Sequence, residues 1–199
     1  MQLYLNASSP YARVVRVCLY EKELMERTEL CWCDPWAADS ELLKITPLSR
    51  IPTLVTEGGE VLTESLLIAH YLDAVGEAKL LPADGLAETL ALAGLGQGLM
   101  EAAFNVVIGR KHGGPDVDET LLGNRRLKAI ERTLVTLEAH PSVLAGHTQR
   151  TLGAIVVAVA LAYLSFRLPA FDWPNRFPRL QAWCAKVTVC DSFALTAFE

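Results

Sequence analysis

Two serines stand where the first predicted strand gives way to a helix, in the run Ser8-Ser9-Pro10-Tyr11-Ala12-Arg13. We expect Ser9 to cap this helix, because a serine hydroxyl accepts hydrogen bonds from free backbone amides. Pro10 suits the first helical position, because proline has no backbone N–H that would need a partner there. The same amides and the helix dipole make such a turn an anion site, where a hydroxyl can lower the pKa of a thiol. Taken alone, capping is the more frequent role, so both interpretations stay open.

A second candidate is the run Arg50-Ile51-Pro52-Thr53-Leu54, in which a proline precedes a predicted strand. Proline lacks the amide donor that strand pairing uses. If Pro52 is cis, the backbone N–H and C=O of Ile51 face outward and can pair with an extended peptide. A trans proline on an edge strand is the alternative that base rates favour. The sequence does not choose between them.

A third candidate is Thr63-Glu64-Ser65, at the start of a predicted helix. Thr63 fits the N-cap, and an acidic first turn is ordinary compensation of the helix dipole. In the functional alternative, Ser65 and the helix N-terminus would bind a carboxylate, and Glu64 would pair with an ammonium. Those two charged groups together make an amino-acid head.

Hydrophobic periodicity predicts the elements that position these residues. Strands are predicted over residues 3–5, 28–33, 53–56 and 60–62, and helices over residues 10–24, 40–45 and 66–72. The brief helix begins at Ser40, and Glu57-Gly58-Gly59 predicts a hairpin turn between the last two strands. The expected order is βαβ, a linking helix, then ββα, in a domain of residues 1–77.

After a linker over residues 78–85, marked by Pro82, Asp84 and Gly85, the predicted elements are helical. Helices are expected over residues 86–110, 118–139, 152–166 and 176–189, with loops over 112–116 and 140–149. Glycines at 94, 96 and 98 weaken the first of these helices and indicate that another helix approaches it closely. The second domain, residues 86–199, is therefore expected to be all-α.

Composition and charge narrow the class of protein. The 199-residue chain has 51% hydrophobic residues and a net charge of −5, which is typical of a globular protein and argues against nucleic acid as a partner. Its N-terminus lacks a signal-peptide pattern. The apolar stretch over residues 152–166 is shorter than the ~20 residues of a membrane helix. We expect a cytoplasmic protein with no nucleic-acid or membrane partner.

The five cysteines lie at positions 18, 31, 33, 184 and 190. Their spacing matches no metal site, and Cys31-Trp32-Cys33 is neither a redox Cys-x-x-Cys pair nor a zinc knuckle. They are expected mostly as small core hydrophobes in a reducing compartment. No metal is implied.

The order and spacing of the three motifs closely resemble the N-terminal half of cytosolic glutathione transferases. The resemblance lies in residues 8–13, 47–54, 64–65 and 68–73, and continues in residues 134–138, 144–146, 163–167 and 178–183, which fit bacterial members. It covers essentially the whole chain. It implies a thioredoxin-like α/β domain, an all-α domain and a serine-type active site.

The resemblance also implies roles for individual residues. Ser9 would activate the sulfur of glutathione, with Ser8 as a second candidate. Ile51, before a cis Pro52, would pair with the cysteinyl backbone, and Arg50 would lie near the glycyl carboxylate. The γ-glutamyl head would be held by the pair Glu64 and Ser65. Because Ser9 occupies the place of the first active cysteine of thioredoxins, the attacking thiol must come from the ligand.

The implied activity is conjugation of glutathione, as co-substrate, to a small hydrophobic electrophile, a detoxification reaction. The electrophile would lie between the domains, against the helix that contains Met100, Glu101 and Phe104, with Tyr11 and Trp36 as further candidates; core packing of the apolar residues is an equal alternative. The family implies a homodimer. Two other functions stay open, namely a non-catalytic glutathione-binding adaptor and a glutathione-dependent isomerase or reductase.

The sequence departs from the family pattern at two places. Ala154 stands where a capping box opened by Thr151 usually has an acid, and the loss of one such cap commonly costs about 1 kcal/mol. Near the C-terminus, Val189-Cys190-Asp191-Ser192-Phe193 replaces the usual Arg-Pro-Ser-Phe. Neither departure touches the expected thiol site.

Overall fold

The computed structural model describes residues 1–37, 41–77 and 79–199, and these form two compact units. The first unit comprises Met1–Ala83 together with Cys190–Glu199, and the second comprises Asp84–Val189. Ser40, where the brief helix was predicted to begin, and Ala78, at the start of the predicted linker, lie outside the described residues.

The first unit is a four-stranded mixed sheet with helices. Its elements are β1 (Gln2–Leu5), α1 (Pro10–Glu21), β2 (Glu29–Trp32), α2 (Glu41–Ile45), β3 (Thr53–Val55), β4 (Val61–Thr63) and α3 (Ser65–Val75). The strand order is β2-β1-β3-β4, in which β1 and β2 are parallel and the other two pairs are antiparallel. This arrangement confirms the predicted thioredoxin-like α/β fold.

Side-chain alternation explains how the sheet packs. Leu3 and Leu5 of β1 and Leu54 of β3 lie on one face and are fully buried, as are Val14 and Val17 of α1. The predicted hairpin between β3 and β4 is confirmed. Gly59 in its turn has φ 92°, a conformation that residues with a Cβ rarely adopt.

The second unit is built from helices: α4 (Leu86–Gly113), α5 (Leu121–Glu138), α6 (Pro141–Leu144), α7 (Leu152–Arg167), α8 (Trp173–Arg176) and α9 (Pro178–Val187). Helix α7 is buried from Leu152 through Leu161 and forms the centre of this unit. The predicted all-α architecture of this part of the chain is confirmed.

Three predicted boundaries differ from the structure. The expected loop over residues 140–149 contains α6, because His140 caps it by accepting from the amide of Ser142 and Pro141 takes the first position. The loop expected over 112–116 is replaced by the end of α4 and a 3-10 turn, Pro115–Glu119. The helix expected over 176–189 is α9, which begins at Pro178 and ends at Val187, whereas Arg176 ends the preceding helix α8.

The C-terminal segment also departs from the expected domain boundary, because Cys190–Glu199 belongs to the first unit. Its last helix is α10 (Asp191–Ala194). Arg13 donates to the carbonyl of Phe193 at 3.1 Å and Arg16 donates to the carbonyl of Leu195 at 2.9 Å. These two arginines of α1 hold the segment against the sheet domain, which the sequence pattern of a helical second half did not indicate.

The absent acid at position 154 is partly compensated. Thr151 accepts from the amide of Ala154 at 3.3 Å, so the ordinary half of the cap forms. The amide of Thr151, which the acid would have bound, donates to the carbonyl of Gln149 at 2.9 Å. A backbone acceptor thus satisfies the donor that the family's capping box satisfies with a side chain.

By length and composition alone, α4 is long and apolar enough to cross a membrane, and so is α7 when joined to Pro169–Arg176 across a 103° bend. The buried core helix of a soluble protein meets the same criterion. In α4, Leu92, Leu99 and Met100 are buried within the second unit. The expected absence of a membrane partner stays a prediction.

Close contact between α4 and α7 depends on Gly96, as the glycine spacing predicted. A Cβ at Gly96 would lie 2.7 Å from the amide nitrogen of Val157 and 2.9 Å from the carbonyl carbon of Val156, whereas a Cβ at Gly94 or Gly98 would meet nothing within 4 Å. Only one of the three glycines is therefore required for packing.

Gly96→Ala and Gly98→Ala make the same change in the same helix and are predicted to have opposite effects. Gly96→Ala should lower the free energy of unfolding by about 1–3 kcal/mol, because the two backbones must separate. Gly98→Ala should raise it by about 0.5–1 kcal/mol through the better helix propensity of alanine. Urea unfolding followed by circular dichroism measures both, and equal effects would contradict the assigned contact.

Candidate functional site

The three motifs singled out in the sequence meet at one end of the sheet. Strand β1 runs antiparallel to β3 with Tyr4 opposite Thr53, and β3 runs antiparallel to β4 with Thr53 opposite Thr63. The turn after β1, the residues before β3 and the residues after β4 therefore share one edge. Ser8 and Ser9, the Ile51–Pro52 bond, and Glu64 with Ser65 occupy these three positions.

Ser9 caps α1 as predicted, and its hydroxyl hydrogen stays available for donation. The Ser9 Oγ accepts from the amide of Ala12 at 3.2 Å. This bond uses a lone pair and leaves the hydroxyl hydrogen for another acceptor. Ser8 lies in the preceding turn, and both serines are half-buried.

Sequence reasoning missed Asn6, which fixes this turn. The Oδ1 of Asn6 accepts from the amide of Ser9 at 2.8 Å. Its available signal was the residue type, because asparagine often bonds nearby backbone in turns. With its amide engaged by Asn6, Ser9 has only its hydroxyl hydrogen left to donate.

The Ile51–Pro52 peptide bond is cis, which decides between the two alternatives that the sequence left open. Pro52 is buried and Ile51 is half-buried, just before β3. The hydroxyl of Thr53 donates to the carbonyl of Arg50 at 2.7 Å and fixes the chain that enters the strand.

Glu64 has an unusual backbone conformation at the start of α3. It occupies the N-cap with φ 67° and ψ 116°, whereas the sequence favoured Thr63, which instead lies in β4. A non-glycine residue in such a conformation costs about 1–3 kcal/mol, and such residues cluster at functional sites. The Glu64 side chain makes no capping bond and is exposed.

Ser65 begins α3 and presents an unsatisfied hydroxyl. The residue is only 2% exposed, yet its Oγ has no hydrogen-bond partner within the described part of the chain. A buried polar group without a partner costs about 1–3 kcal/mol. Its position at a helix N-terminus suits an anionic acceptor, because free amides and the helix dipole act there in the same direction.

Arg50 and Glu64, 14 residues apart in sequence, approach each other in the structure. The Arg50 Nη1 lies 3.5 Å from the Glu64 Oε1, and both side chains are more than half exposed. Exposed pairs of this kind contribute little to stability. Both charges therefore stay available to a ligand.

The residues considered for a second substrate differ in exposure. Met100 is fully buried, so core packing is the correct interpretation for that residue. Glu101 is exposed, Phe104 and Tyr11 are half-buried, and Trp36 is exposed.

Across residues 1–37, 41–77 and 79–199, no group of three or more His, Cys, Asp or Glu side chains could hold a metal ion.

A buried ion pair joins the two helices whose N-terminal ends carry Ser9 and Ser65. The Lys22 Nζ, just beyond α1, donates to the Asp73 Oδ1 of α3 at 3.0 Å, and the two side chains are 0% and 9% exposed. The same ammonium donates to the Asp73 carbonyl, and the Leu80 amide donates to the carboxylate at 2.6 Å. Sequence reasoning missed this pair, because the partners are 51 residues apart.

Burial by itself raises the pKa of Asp73, but the bonds from the Leu80 amide and the Lys22 ammonium outweigh it and lower the pKa below its ordinary value. The carboxylate is therefore held in its charged form. Gly76, after α3, provides space for the lysine, since a Cβ there would lie 2.5 Å from the Lys22 Cε.

Comparison with known proteins places the chain in a family. Residues 8–75 match the model of the glutathione S-transferase N-terminal domain, and residues 121–186 match that of the C-terminal domain. The chain belongs to the glutathione S-transferase family.

Individual relatives agree with this assignment. The chain is 32% identical to YibF, an uncharacterized GST-like protein of Escherichia coli (strain K12), with 98% of each chain covered. A glutathione transferase family member from Pseudomonas fluorescens Pf-5, solved with bound glutathione, is 32% identical with a TM-score of 0.91, covering 100% of this chain and 98% of that one. A glutathione S-transferase from Methylobacillus flagellatus KT, solved with glutathione, is 25% identical with a TM-score of 0.89, covering 100% and 99%.

Asp73→Asn is predicted to lower the free energy of unfolding by about 3–5 kcal/mol at neutral pH, because the buried Lys22 ammonium loses its counter-charge. A lowered carboxyl pKa stabilises the fold above the unfolded value of about 3.9, and this contribution disappears as pH falls through the folded value. The difference between wild type and Asp73→Asn should therefore shrink in acid. Urea unfolding across pH measures it.

Glu57→Gln is the matched control for this variant, because it removes the partner of Arg27 from an ion pair of 2.8 Å whose side chains are more than half exposed. It should cost less than about 1 kcal/mol. If Glu57→Gln lost as much stability as Asp73→Asn, the role assigned to the buried pair would be contradicted. The same would hold if the difference between wild type and Asp73→Asn grew in acid.

Proposed function

We propose that this chain is a glutathione transferase that joins the thiol of glutathione to a small, hydrophobic electrophile. The observation that carries the proposal is the unsatisfied, buried hydroxyl of Ser65 at the N-terminus of α3, beside the strained backbone of Glu64. Both features cost free energy in the unliganded chain and are offset when a ligand supplies the missing contacts.

The γ-glutamyl group of glutathione has the charges that this corner of the sheet accepts. Its carboxylate would accept hydrogen bonds from the Ser65 hydroxyl and from the amides at the start of α3. Its ammonium would bind the Glu64 carboxylate. The backbone of Ile51, next to Pro52, would pair with the cysteinyl residue, and Arg50 would lie near the glycyl carboxylate. Glutathione bound in the solved relatives supports this assignment.

Ser9 would donate its hydroxyl hydrogen to the glutathione sulfur. Together with the positive end of α1, this bond stabilises the thiolate and lowers its pKa, so that more of the nucleophile exists at neutral pH. The thiolate then attacks the electrophilic carbon and forms a C–S bond. Ser8, one residue earlier in the turn, is the alternative donor.

The thiol of Cys18, the one cysteine of α1, is poorly suited to this step. Burial raises the pKa of the Cys18 thiol, inside α1, to about 12, and the negative charge of Glu21 is the next largest cause of this rise. That thiol stays protonated at physiological pH and is inaccessible. Glutathione thus supplies the sulfur, and Ser9 supplies the environment that activates it.

The electrophile is assigned only by class. A second Pseudomonas fluorescens Pf-5 structure, 30% identical with a TM-score of 0.87 and covering 100% of both chains, holds S-(propanoic acid)-glutathione, a glutathione carrying a small substituent on sulfur. A small electrophile is the matching reactant for this chain. Detoxification, a homodimer and a cytoplasmic location stay predictions.

Ser9→Ala is predicted to raise the thiol pKa of bound glutathione and to lower kcat for conjugation of an aryl halide by about 100-fold, as for loss of one donor at a reacting atom. Thiolate absorbance across pH and steady-state kinetics measure these effects. Ser8→Ala should leave the thiol pKa of bound glutathione almost unchanged and should change kcat by no more than a few-fold. Large effects of Ser8→Ala with small effects of Ser9→Ala would transfer the role to Ser8.

Thr120→Ala is the matched control for the capping part of the Ser9 substitution. Thr120 accepts from the amide of Gly123 at 3.0 Å, as Ser9 does from Ala12, but caps α5 in the other unit. Each variant should lose about 1 kcal/mol of stability, and only Ser9→Ala should lose turnover. Retention on glutathione resin without turnover of any electrophile would favour an adaptor instead.

A further inference from the structure

Cys31 and Cys33 form a pair of accessible thiols on the edge of the sheet. Cys31 lies in β2, the outer strand, and the amide of Cys33 donates to the carbonyl of Leu5 at 2.9 Å, which keeps the chain extended past the strand end. Both thiols are free and half-exposed. The expectation of core hydrophobes is correct for Cys18 and Cys184 but wrong for this pair.

Strand alternation puts both thiols on the same face. The side chain of Trp32, between them, turns toward α1, where the guanidinium of Arg16 lies 5.4 Å from the centre of the indole ring. Residues on either side of it point the opposite way, because side chains in a strand alternate. Cys31 and Cys33 therefore stand side by side.

Their spacing favours a bridging atom over a disulfide. Residues two apart in a strand are separated by about 6.6 Å between Cα atoms, near the upper limit of about 6.8 Å for a disulfide. An atom that bonds two sulfurs at about 2.3 Å each needs them only about 4 Å apart. Two thiols leaning together can meet that requirement.

The surroundings disfavour a charged dithiolate. Burial raises the pKa of the Cys31 thiol, and Glu29 raises it further. Burial also raises the pKa of the Cys33 thiol, and Cys31 and Asp34 add to this against an opposing hydrogen bond from the backbone at Leu5. A soft divalent cation usually takes four ligands, and among the described residues no group of three or more His, Cys, Asp or Glu side chains supplies them. An arsenic(III) centre that carries one organic group needs only two thiols.

We propose that Cys31 and Cys33 form a dithiol site for trivalent arsenicals. An arsenic(III) centre with two hydroxyl groups condenses with both thiols. Two As–S bonds form while two As–OH and two S–H bonds break, and two water molecules leave. Arsenic stays trivalent, no oxidant is needed, and the adduct is neutral.

Phenylarsine oxide, which hydrates to a centre with two hydroxyl groups, tests the site on the full chain by intact-protein mass spectrometry. Wild type should bind one phenylarsenic group that survives excess glutathione and is released by dithiothreitol. Cys31→Ser and Cys33→Ser should each weaken retention by about 100-fold or more, because two-point attachment is lost. Cys190→Ser, which changes a half-buried thiol outside the pair, should retain the group.

Circular dichroism of each variant, and alkylation of its remaining thiols, show whether it is folded. Glutathione-resistant labelling that persists in a folded Cys31→Ser or Cys33→Ser variant would overturn the proposal, as would failure of folded wild type to be labelled. Cd²⁺ should not bind wild type stoichiometrically against excess glutathione, because two thiols fill only half of the four ligand positions that such a cation usually takes. Stoichiometric binding of Cd²⁺ would overturn the assigned preference for an arsenical. These outcomes do not depend on glutathione turnover.

Discussion

The ion pair between Lys22 and Asp73 is the interaction on which the geometry of the site depends. It joins the C-terminal ends of α1 and α3, whose N-terminal ends carry Ser9 and Ser65. A buried pair is stable only when its remaining hydrogen-bond capacity is met, and the amide of Leu80 and the carbonyl of Asp73 meet it here. Fixing both helices at one end fixes the direction of both dipoles at the other.

The sheet supplies the second constraint, because its pairing brings three separate segments to one edge. At that edge the chain keeps features that lower its own stability, namely the positive φ of Glu64 and the unpartnered hydroxyl of Ser65. Ser9 differs, since its oxygen caps α1 while its hydrogen remains to be donated. Tripeptide binding would satisfy the first two, and a thiolate would satisfy the third.

The sequence predicted features that depend on neighbouring residues. The Ser9 cap, the β3–β4 hairpin and the close approach at Gly96 each follow from local residue types. The Lys22–Asp73 pair could not be predicted from pattern, since only folding brings its partners together. The same holds for the C-terminal segment, which is held by Arg13 and Arg16, more than 170 residues earlier. The resemblance to a family pointed to the candidate site, whereas local rules alone left each motif ambiguous.

The proposed function depends most on recognition of the γ-glutamyl head of glutathione by Ser65 and Glu64. Calorimetric titration of the full chain with glutathione and with cysteinylglycine, which lacks that head, tests it most directly. Glutathione should bind at least about tenfold more tightly than cysteinylglycine, a difference of about 1.4 kcal/mol, and Ser65→Ala should narrow the gap. Equal affinities for the two peptides, or a gap that Ser65→Ala leaves unchanged, would contradict it.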